Sequence, residues 1–274
     1  MRSRPVQTRP AIGVFDSGTG GLTLVREIMR QLPDEPVIYF GDTARVPYGS
    51  KSPETVIRFS LEDAAFLLGK GIRLLVAACN TASSVSMPAL REYSSVPVVG
   101  VIEPGAMAAA KATRTGIVGV IGTNGTISSG AYQKALRDAG GIKAVIAQPC
   151  PLLVPLVEEG WLDHRITVEI VEEYMAPLIR ERIDTLVLGC THYPLLKSVF
   201  SQVMGPGVTL VDSAESTVSA VREILAVEGS AGGAEAPPEH AFYVSDIPLK
   251  FQEIAQRFLG RSIPLVTQVE VGDA

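Results

Sequence analysis

Short, nearly continuous apolar runs alternate along the chain with longer segments whose apolar positions recur at helical spacing. Such runs are typical of strands buried on both faces of a parallel sheet, and their alternation with helices is typical of doubly wound α/β proteins. In the first part of the chain, the apolar runs predict strands over residues 11–15, 37–40, 74–78 and 96–102. The intervening segments predict helices over residues 22–32, 53–70, 81–93 and 103–113.

The order of elements is repeated in the second part of the chain. Strands are predicted over residues 116–121, 143–147, 185–188 and 208–212, and helices over 127–139, 163–182, from 194 onward, and over 214–226. Corresponding features lie about 106 residues apart early in the two copies and 111 residues apart at Cys79 and Cys190. The sequence therefore predicts a duplicated α/β fold: two pseudo-symmetric doubly wound parallel-sheet lobes with the active site between them.

Local features refine the second copy. Residues 148–160 contain several prolines and end in a glycine, so we expect them to form a long loop. Asp163 is expected to cap the next helix, and Pro177 is expected to kink it.

The carboxyl-terminal part is expected to complete the first lobe. Residues 228–239 have the composition of a solvated flexible loop. A strand is predicted over residues 241–244 and an amphipathic helix over 248–259, with Leu249, Ile254, Phe258 and Leu259 on its apolar face. We expect residues 1–102 together with 213–274 to form the first α/β lobe, and residues 103–212 to form the second.

Composition and charge exclude several classes of protein. The 274 residues are 46% hydrophobic, which is enough for a substantial core, and a net charge of -5 without a basic stripe argues against nucleic acid as a required partner. Pro5 and Pro10 interrupt the amino terminus where a signal peptide needs an apolar run, and no apolar stretch approaches the roughly twenty residues of a membrane span. We expect a cytoplasmic protein without membrane association, whose three cysteines are free thiols.

Two cysteines stand where a parallel sheet places its chemistry. Cys79 and Cys190 each follow a buried strand run and precede polar residues that open a helix. A single such cysteine is more often a small apolar core residue, but two at equivalent positions favour a function. We expect helix N-terminal N–H groups to stabilise a thiolate there and, with Asn80, Thr81 and Thr191, to hold a substrate carboxylate.

Other candidates near these positions each have a structural alternative. Asp16 and Ser17 follow the first strand, where they are equally consistent with a helix cap and with a ligand site. His192 is either a proton partner for Cys190 or a structural histidine, and Cys-x-His without a second ligand pair is a poor zinc signature. Glu158 is either a helper in the site or an ordinary surface carboxylate.

Two further features are assigned no chemistry. Cys150 lies between Pro149 and Pro151, outside the strand-to-helix context of the other cysteines. The glycine turn over residues 18–21 lacks the last glycine of a dinucleotide fingerprint and the lysine of a phosphate loop, so a nucleotide site is not predicted.

Paired thiols suit one reaction class in particular. Inverting a stereocentre requires a base on one face of a carbon and an acid on the other, and a duplicated fold supplies one group to each face. If one cysteine is a thiolate and the other a thiol, their roles exchange when the reaction runs backwards. Such a mechanism requires no metal and no organic cofactor, and neither kind of site is evident in the sequence.

At this point the motifs resemble those of the glutamate racemases in the cofactor-independent aspartate/glutamate racemase superfamily. The resemblance covers about residues 11–226 and rests on five segments: Gly13-Val-Phe-Asp-Ser-Gly-Thr-Gly-Gly-Leu22, Gly41-Asp-Thr-Ala-Arg-Val-Pro-Tyr-Gly49, Ala78-Cys-Asn-Thr-Ala82, Pro151-Leu-Leu-Val-Pro-Leu-Val-Glu158 and Leu188-Gly-Cys-Thr-His-Tyr-Pro194. It implies that L-glutamate and D-glutamate are the substrates, and that D-glutamate is supplied to peptidoglycan synthesis.

The resemblance also implies residue roles. Cys79 would take the α-proton from the D enantiomer and Cys190 from the L enantiomer, with Asp16 assisting the first, His192 the second, and Glu158 as a further helper. The residues implied to contact substrate are Asp16, Ser17, Tyr48, Gly49, Asn80, Thr81, Thr123, Thr191 and His192. Many members have another cysteine where this chain has Val46, which is not one of the proton-transfer pair.

The resemblance further implies a homodimer, whose arrangement varies between members. Aspartate racemase is the near alternative, because it uses the same paired cysteines. Two other classes stay open: a two-lobed amino-acid-binding protein without catalysis, and a zinc-dependent hydrolase.

Overall fold

The structure is a computed structural model that describes residues 10–227, 238–263 and 265–272. The first copy of the pattern contains β1 (Ile12–Asp16), α1 (Leu22–Gln31), β2 (Val37–Gly41), α2 (Pro53–Leu68), β3 (Leu74–Ala77), α3 (Asn80–Val85), α4 (Met87–Tyr93), β4 (Val98–Gly100) and α5 (Ile102–Ala112). The second contains β5 (Ile117–Gly122), α6 (Asn124–Ser128), α7 (Ala131–Ala139), β6 (Ala144–Pro149), α8 (Leu153–Glu158), α9 (Arg165–Arg180), β7 (Thr185–Gly189), α10 (Lys197–Met204), β8 (Thr209–Asp212) and α11 (Ser213–Val227). The carboxyl-terminal part adds β9 (Ala241–Val244), α12 (Pro248–Leu259) and β10 (Val266–Gln268).

Within the described residues the strands form two sheets, and every pair of neighbouring strands is parallel. One sheet has the order β10-β9-β2-β1-β3-β4 and the other the order β6-β5-β7-β8. The order β2-β1-β3-β4 in the first sheet is reproduced by β6-β5-β7-β8 in the second. This confirms the predicted class of two doubly wound parallel sheets and shows that the repeat extends to the topology.

This topology determines where a ligand binds. In the first sheet the chain passes from β1 to β2 on one side and then to β3 on the other, and in the second it does the same around β5. Parallel α/β sheets bind ligands at such switch points, outside the carboxyl ends of the strands. The candidate positions are therefore the crevices at the carboxyl ends of β1 and β3 and of β5 and β7.

The core holds these strand ends in place. β3 and β7 are buried along their whole length, as expected for central strands covered by helices on both faces. α11 packs against both α1 and α5, so the helix that follows the second sheet also contacts helices of the first copy. No helix in the described part of the chain is both long and apolar enough to cross a membrane.

The carboxyl-terminal strands extend the first sheet, because β9 pairs with β2 and β10 pairs with β9. The predicted apolar face of α12 is wrong at Leu249, whose side chain is 75% exposed. Phe251, Ile254 and Phe258 are buried, and α12 packs against α1. Residues 251, 254 and 258 share one helical stripe, and residue 249 lies off that stripe.

Several predicted element bounds are also corrected. The helix expected over residues 81–93 is divided into α3 and α4 at Ser86. The loop expected over residues 148–160 is wrong, because β6 continues through Pro149 in register with β5 and α8 follows. α9 runs through Pro177, as predicted, but its cap is His164 rather than Asp163, since His164 Nδ1 accepts the Ile166 N–H at 3.2 Å.

Two predictions are not tested. The loop predicted over residues 228–239 lies mostly outside the described residues, and the described part, Pro238 and Glu239, forms neither helix nor strand. The division of the chain into lobes at residues 102/103 and 212/213 stays a prediction.

Candidate active site

The two cysteines lie at equivalent ends of the two sheets. Cys79 is the N-cap residue of α3, two residues beyond the end of β3, and Cys190 follows the last residue of β7. Both are 6% exposed. The Ala78 N–H donates to the Phe15 carbonyl at 2.9 Å, which holds the Cys79 loop beside the end of β1. The duplicated topology thus places one thiol at each predicted ligand position.

The Cys79 thiol is surrounded by polar groups from the end of β1. Its sulfur donates to Ser17 Oγ at 3.6 Å. Burial and the negative charge of Asp16 raise the pKa of the Cys79 thiol to about 12, although hydrogen bonds from Ala82 and Ser17 favour the thiolate. The expected stabilisation of this thiolate at a helix N-terminus is therefore outweighed by burial and by Asp16.

Asp16 is fully buried and does not cap α1. Its carboxylate accepts the Gly18 N–H at 3.0 Å, whereas the N-cap of α1 is Gly21, which has no side-chain cap. The Thr191 hydroxyl donates to Asp16 Oδ1 at 3.5 Å, so Asp16 connects the first glycine turn with the Cys190 loop. Burial raises the pKa of Asp16, and the charge of His192 opposes that rise.

Cys190 has a basic partner that Cys79 lacks. Its sulfur lies 3.9 Å from His192 Nδ1, and His192 Nε2 lies 3.1 Å from Glu158 Oε1. Burial disfavours the imidazolium, but the hydrogen bonds and charges of Cys190 and Glu158 outweigh burial and raise the pKa of His192 to about 10. The Glu158 carboxylate is 37% exposed, so it contacts the site from its rim.

The two cysteine loops share one electrostatic environment. A negative charge on Cys190 raises the pKa of Cys79, and the charge of His192 lowers that of Asp16. Gly20 lies directly between the two sides, because a Cβ there would overlap Thr191 Oγ1 and come within 2.5 Å of His192 Nδ1. The site therefore needs a glycine at this position of the first turn.

A second contact between the two copies involves hydroxyl groups. Thr81 Oγ1 lies 2.8 Å from Thr123 Oγ1 and 3.2 Å from Thr126 Oγ1. A Cβ at Gly49 would come within 2.6 Å of Thr123, so the backbone of the Tyr48–Ser50 segment also reaches this cluster. Three residues implied to contact substrate, Gly49, Thr81 and Thr123, are thus brought together.

The Tyr48 side chain, unlike Gly49, Thr81 and Thr123, does not lie at the contact between the two copies. Its hydroxyl donates to Asp42 Oδ2 at 2.5 Å and lies 3.0 Å from Asp63 Oδ2, and both carboxylates are fully buried. Arg45 pairs with the same two carboxylates. Burial and the charge of Asp42 raise the pKa of Asp63 well above its usual range. The Tyr48 hydroxyl is satisfied within the first copy, and Gly49 is the part of the segment that meets the second.

Some residues of the site gave no recognisable sequence signal. The Tyr132 hydroxyl donates to Asn80 Oδ1 at 2.7 Å, although Tyr132 belongs to α7 of the second copy. Asp42 and Asp63 were likewise not among the candidates. A buried partner that is distant along the chain can be found only after the fold has brought it near.

The structural interpretation of Cys150 is supported. Cys150 is fully buried, and its thiol donates only weakly, to the Gln148 carbonyl at 3.5 Å. Among the described residues, no group of three or more His, Cys, Asp and Glu side chains is arranged to hold a metal ion. Among the residues that the structure describes, Cys190 and His192 are therefore not accompanied by the further ligands that a zinc site requires.

Two parallel sheets of one topology, each with a buried cysteine just beyond the carboxyl end of a central strand, define a duplicated parallel α/β protein. Residues 12–221 match the family model described as Asp/Glu/Hydantoin racemase, and the chain belongs to this family. A glutamate racemase from Syntrophus aciditrophicus is 52% identical over 260 residues, covering 95% of this chain and 96% of that relative. These matches confirm the resemblance found in the motifs.

Solved structures agree with this assignment. Glutamate racemase isoform RacE1 from Bacillus anthracis has a TM-score of 0.92 and 44% identity, covering 96% of this chain and 98% of that one. Glutamate racemase from Francisella tularensis in complex with D-glutamate has a TM-score of 0.89 and 35% identity, covering 95% of this chain and 97% of that one.

Proposed function

We propose that this chain is a glutamate racemase that interconverts L-glutamate and D-glutamate with two cysteines and no cofactor. The observation that carries the proposal is the placement of Cys79 and Cys190 at equivalent ends of two duplicated sheets, within one electrostatic environment. Glutamate is favoured over aspartate because relatives that match nearly the whole chain at about half identity are glutamate racemases.

The proposed reaction consists of two proton transfers. With L-glutamate, the Cys190 thiolate accepts the α-proton and becomes a thiol, which leaves a carbanion at Cα. The Cys79 thiol gives its proton to the opposite face of that carbon and becomes a thiolate, so D-glutamate is formed. In the reverse direction Cys79 takes the α-proton and Cys190 donates. After product release the two thiols regain their starting protonation through solvent.

The neighbouring residues support each half of the reaction. His192, 3.9 Å from the Cys190 sulfur, is positioned to neutralise a thiolate there, and Glu158 holds the imidazole from its other nitrogen. Asp16 lies beside Cys79 and accepts hydrogen bonds from the turn. We assign substrate contact to Asp16, Ser17, Tyr48, Gly49, Asn80, Thr81, Thr123, Thr191 and His192, with the backbone of Tyr48 and Gly49 as the contacting part of that segment.

The remaining parts of the proposal follow from the family. D-glutamate made by this reaction would supply peptidoglycan biosynthesis. The lobes would be residues 1–102 with 213–274 and residues 103–212. A cytoplasmic homodimer stays a prediction. Binding without catalysis is disfavoured because the chain belongs to a racemase family.

The test is incubation of each glutamate enantiomer in deuterated water, with aspartate in parallel. We expect optical rotation to fall to zero from either enantiomer and deuterium to appear at Cα, at a rate that a metal chelator does not change. Glutamate that keeps its rotation and its α-hydrogen would contradict the proposal. Faster turnover of aspartate would reassign the substrate, and loss of activity with chelator would favour the metal-dependent alternative.

A further inference from the structure

Tyr132 connects the two cysteine loops from a position that no motif indicated. It is the second residue of α7 and is fully buried. Its hydroxyl donates to the side-chain carbonyl of Asn80, the residue after Cys79, at 2.7 Å. One side chain of the second copy therefore holds the residue next to the catalytic cysteine of the first.

The ring of Tyr132 also packs against Gly189, the residue before Cys190. A Cβ at Gly189 would come within 2.9 Å of the ring. A Cβ at Gly105 in α5 would lie 3.4 Å from the Tyr132 hydroxyl, at van der Waals distance. Glycines at positions 105 and 189 thus leave room for Tyr132, and the ring packs against the end of β7.

A third residue, Ser213, lies near the Tyr132 hydroxyl. Burial raises the pKa of Tyr132, whereas a hydrogen bond from the Ser213 side chain favours the charged oxygen. The one proton of the Tyr132 hydroxyl is donated to the Asn80 carbonyl, so the Ser213 hydroxyl can interact with the phenol oxygen only as a donor. Hydrogen bonds that run in one direction strengthen each other in a buried environment.

Asn80, the last residue of this hydrogen-bonded series, has an NH2 group that lacks an acceptor among the described residues. Asn80 is 2% exposed, and its Nδ2 is buried. A buried amide NH2 without an acceptor is costly, so such groups in native proteins call for an explanation. An anionic group of a bound ligand beside Cys79 would supply the acceptor and form a charge-assisted hydrogen bond.

We propose that Tyr132 is a positioning residue, which fixes the Asn80 amide with its NH2 group presented to a carboxylate of the substrate. The inference rests on the proposed racemase function. Without the Tyr132 hydroxyl, the amide carbonyl loses its donor and the amide is free to rotate by half a turn. The substrate carboxylate would then face an oxygen for part of the time.

Tyr132→Phe tests the inference, because it removes the hydroxyl and keeps the ring against Gly189. We expect KM for both glutamate enantiomers to rise about tenfold, the value of one lost hydrogen bond to a charged group, with a much smaller change in kcat. In an Asn80→Ala background, which raises KM by itself, Tyr132→Phe should add no further increase.

Tyr193→Phe is the matched control. Tyr193 is equally buried, and its hydroxyl donates to the Cys150 carbonyl at 2.8 Å. This variant should lose similar stability but keep KM within about twofold of wild type, since its phenol does not contact Asn80. Ser213→Ala provides a second route if Tyr132→Phe does not fold, and it should raise KM by about threefold only when Asn80 is present.

The outcomes separate this inference from the proposed function. An unchanged KM in Tyr132→Phe, or the same fold-increase with and without Asn80, would overturn the positioning role while wild type continues to racemise glutamate. A wild-type chain that does not racemise glutamate would overturn both.

Discussion

Cys79 and Cys190 occupy equivalent positions in the duplicated topology, yet their surroundings carry opposite charges. Cys79 lies beside the Asp16 carboxylate and a hydroxyl, and the pKa of its thiol is raised to about 12 by burial and by Asp16. Cys190 lies beside His192, whose own pKa is raised to about 10 by its partners despite burial. The backbone is pseudo-symmetric and the electrostatics are not.

This difference suits a two-thiol reaction. At any moment one sulfur must be a thiolate and the other a thiol, and identical surroundings would give no preference. Here Asp16 opposes a charge on Cys79, while the His192 imidazolium is placed to neutralise one on Cys190. Asp16 therefore favours the protonated form of Cys79, and the two halves of the site differ in the group that lies beside the sulfur.

Thermodynamics limits how this asymmetry can be observed. The two enantiomers of glutamate have the same free energy in water, so kcat/KM must be equal in the two directions for every variant. An asymmetric site can therefore change kcat and KM together, or the pH dependence, but it cannot make the enzyme one-directional.

The largest effect is expected from removing either thiol. Cys79→Ser and Cys190→Ser keep nearly the same shape but replace a thiol by a far weaker acid, so racemisation should fall by roughly 10² to 10⁴-fold in both directions. Polarimetry from each enantiomer measures this. If either variant racemises glutamate at the wild-type rate, the pair of thiols is not the acid and base.

The contact between the two halves is tested by Gly20→Ala. The added methyl group would displace Thr191 and His192, so racemisation should fall by about 10 to 100-fold and stability by about 1–3 kcal/mol. Gly207→Ala is the matched control, since a Cβ there meets nothing within 4 Å. Denaturant unfolding and initial rates measure both. Wild-type activity in Gly20→Ala would show that the two loops need not be this close.

The charge on the Cys190 side is tested by Glu158→Gln. Loss of the carboxylate removes one of the two partners that raise the pKa of His192, so the alkaline limit of activity should move to lower pH, with a few-fold loss of rate at neutral pH. Rates between pH 6 and pH 11 and NMR titration of the imidazole measure the shift. Glu159→Gln, at an exposed neighbouring carboxylate, is the control.

The raised pKa of His192 also makes the stability of the fold depend on pH. The folded-state pKa of His192 is raised from 6.5 to about 10, so its charged form stabilises the fold fully below about pH 6.5 and progressively less as pH rises toward 10. In Glu158→Gln this loss should be complete at a lower pH. An unchanged pH profile in both activity and stability would mean that Glu158 is only a surface carboxylate.

The smallest effect is expected from Cys150→Ala. Cys150 is buried directly beyond β6, but β6 is the edge strand of its sheet and the Cys150 thiol donates to the Gln148 carbonyl. The Cys150 carbonyl, which binds Tyr193, is retained in the variant. Racemisation should stay within about twofold of wild type, with a stability loss of about 1 kcal/mol. A loss of activity comparable to that of the other two cysteine variants would show that position in the topology does not identify the reactive thiols.

The sequence was sufficient for the parts of the molecule that depend on local pattern. Central parallel strands are continuous apolar runs, so the two copies and the positions of Cys79 and Cys190 followed from the chain alone. The end of β6 and the following α8 helix were not predicted, because pairing with β5 decides where β6 ends. The His164 cap was not predicted, because a difference of one residue in the loop decides which side chain accepts the Ile166 N–H.

The electrostatics of the site could not be obtained this way. The contact between Glu158 and His192 joins residues 34 positions apart, and that between Tyr132 and Asn80 joins residues 52 apart. The raised pKa of Cys79 depends on burial beside Asp16, which the chain order does not reveal. Motif reading assigned candidates to the site, and only the fold showed which of them face each other and with what charge.

The most direct test of two opposed thiols is the isotopic composition of product at low conversion. L-glutamate is incubated in deuterated water, the reaction is stopped early, and the enantiomers are separated and analysed by mass spectrometry. If Cys190 removes the proton and Cys79 returns one to the other face, nearly every D-glutamate molecule carries deuterium at Cα while the remaining L-glutamate still carries hydrogen. D-glutamate that retains the original hydrogen would contradict the account, because a single group would then have moved the proton between faces.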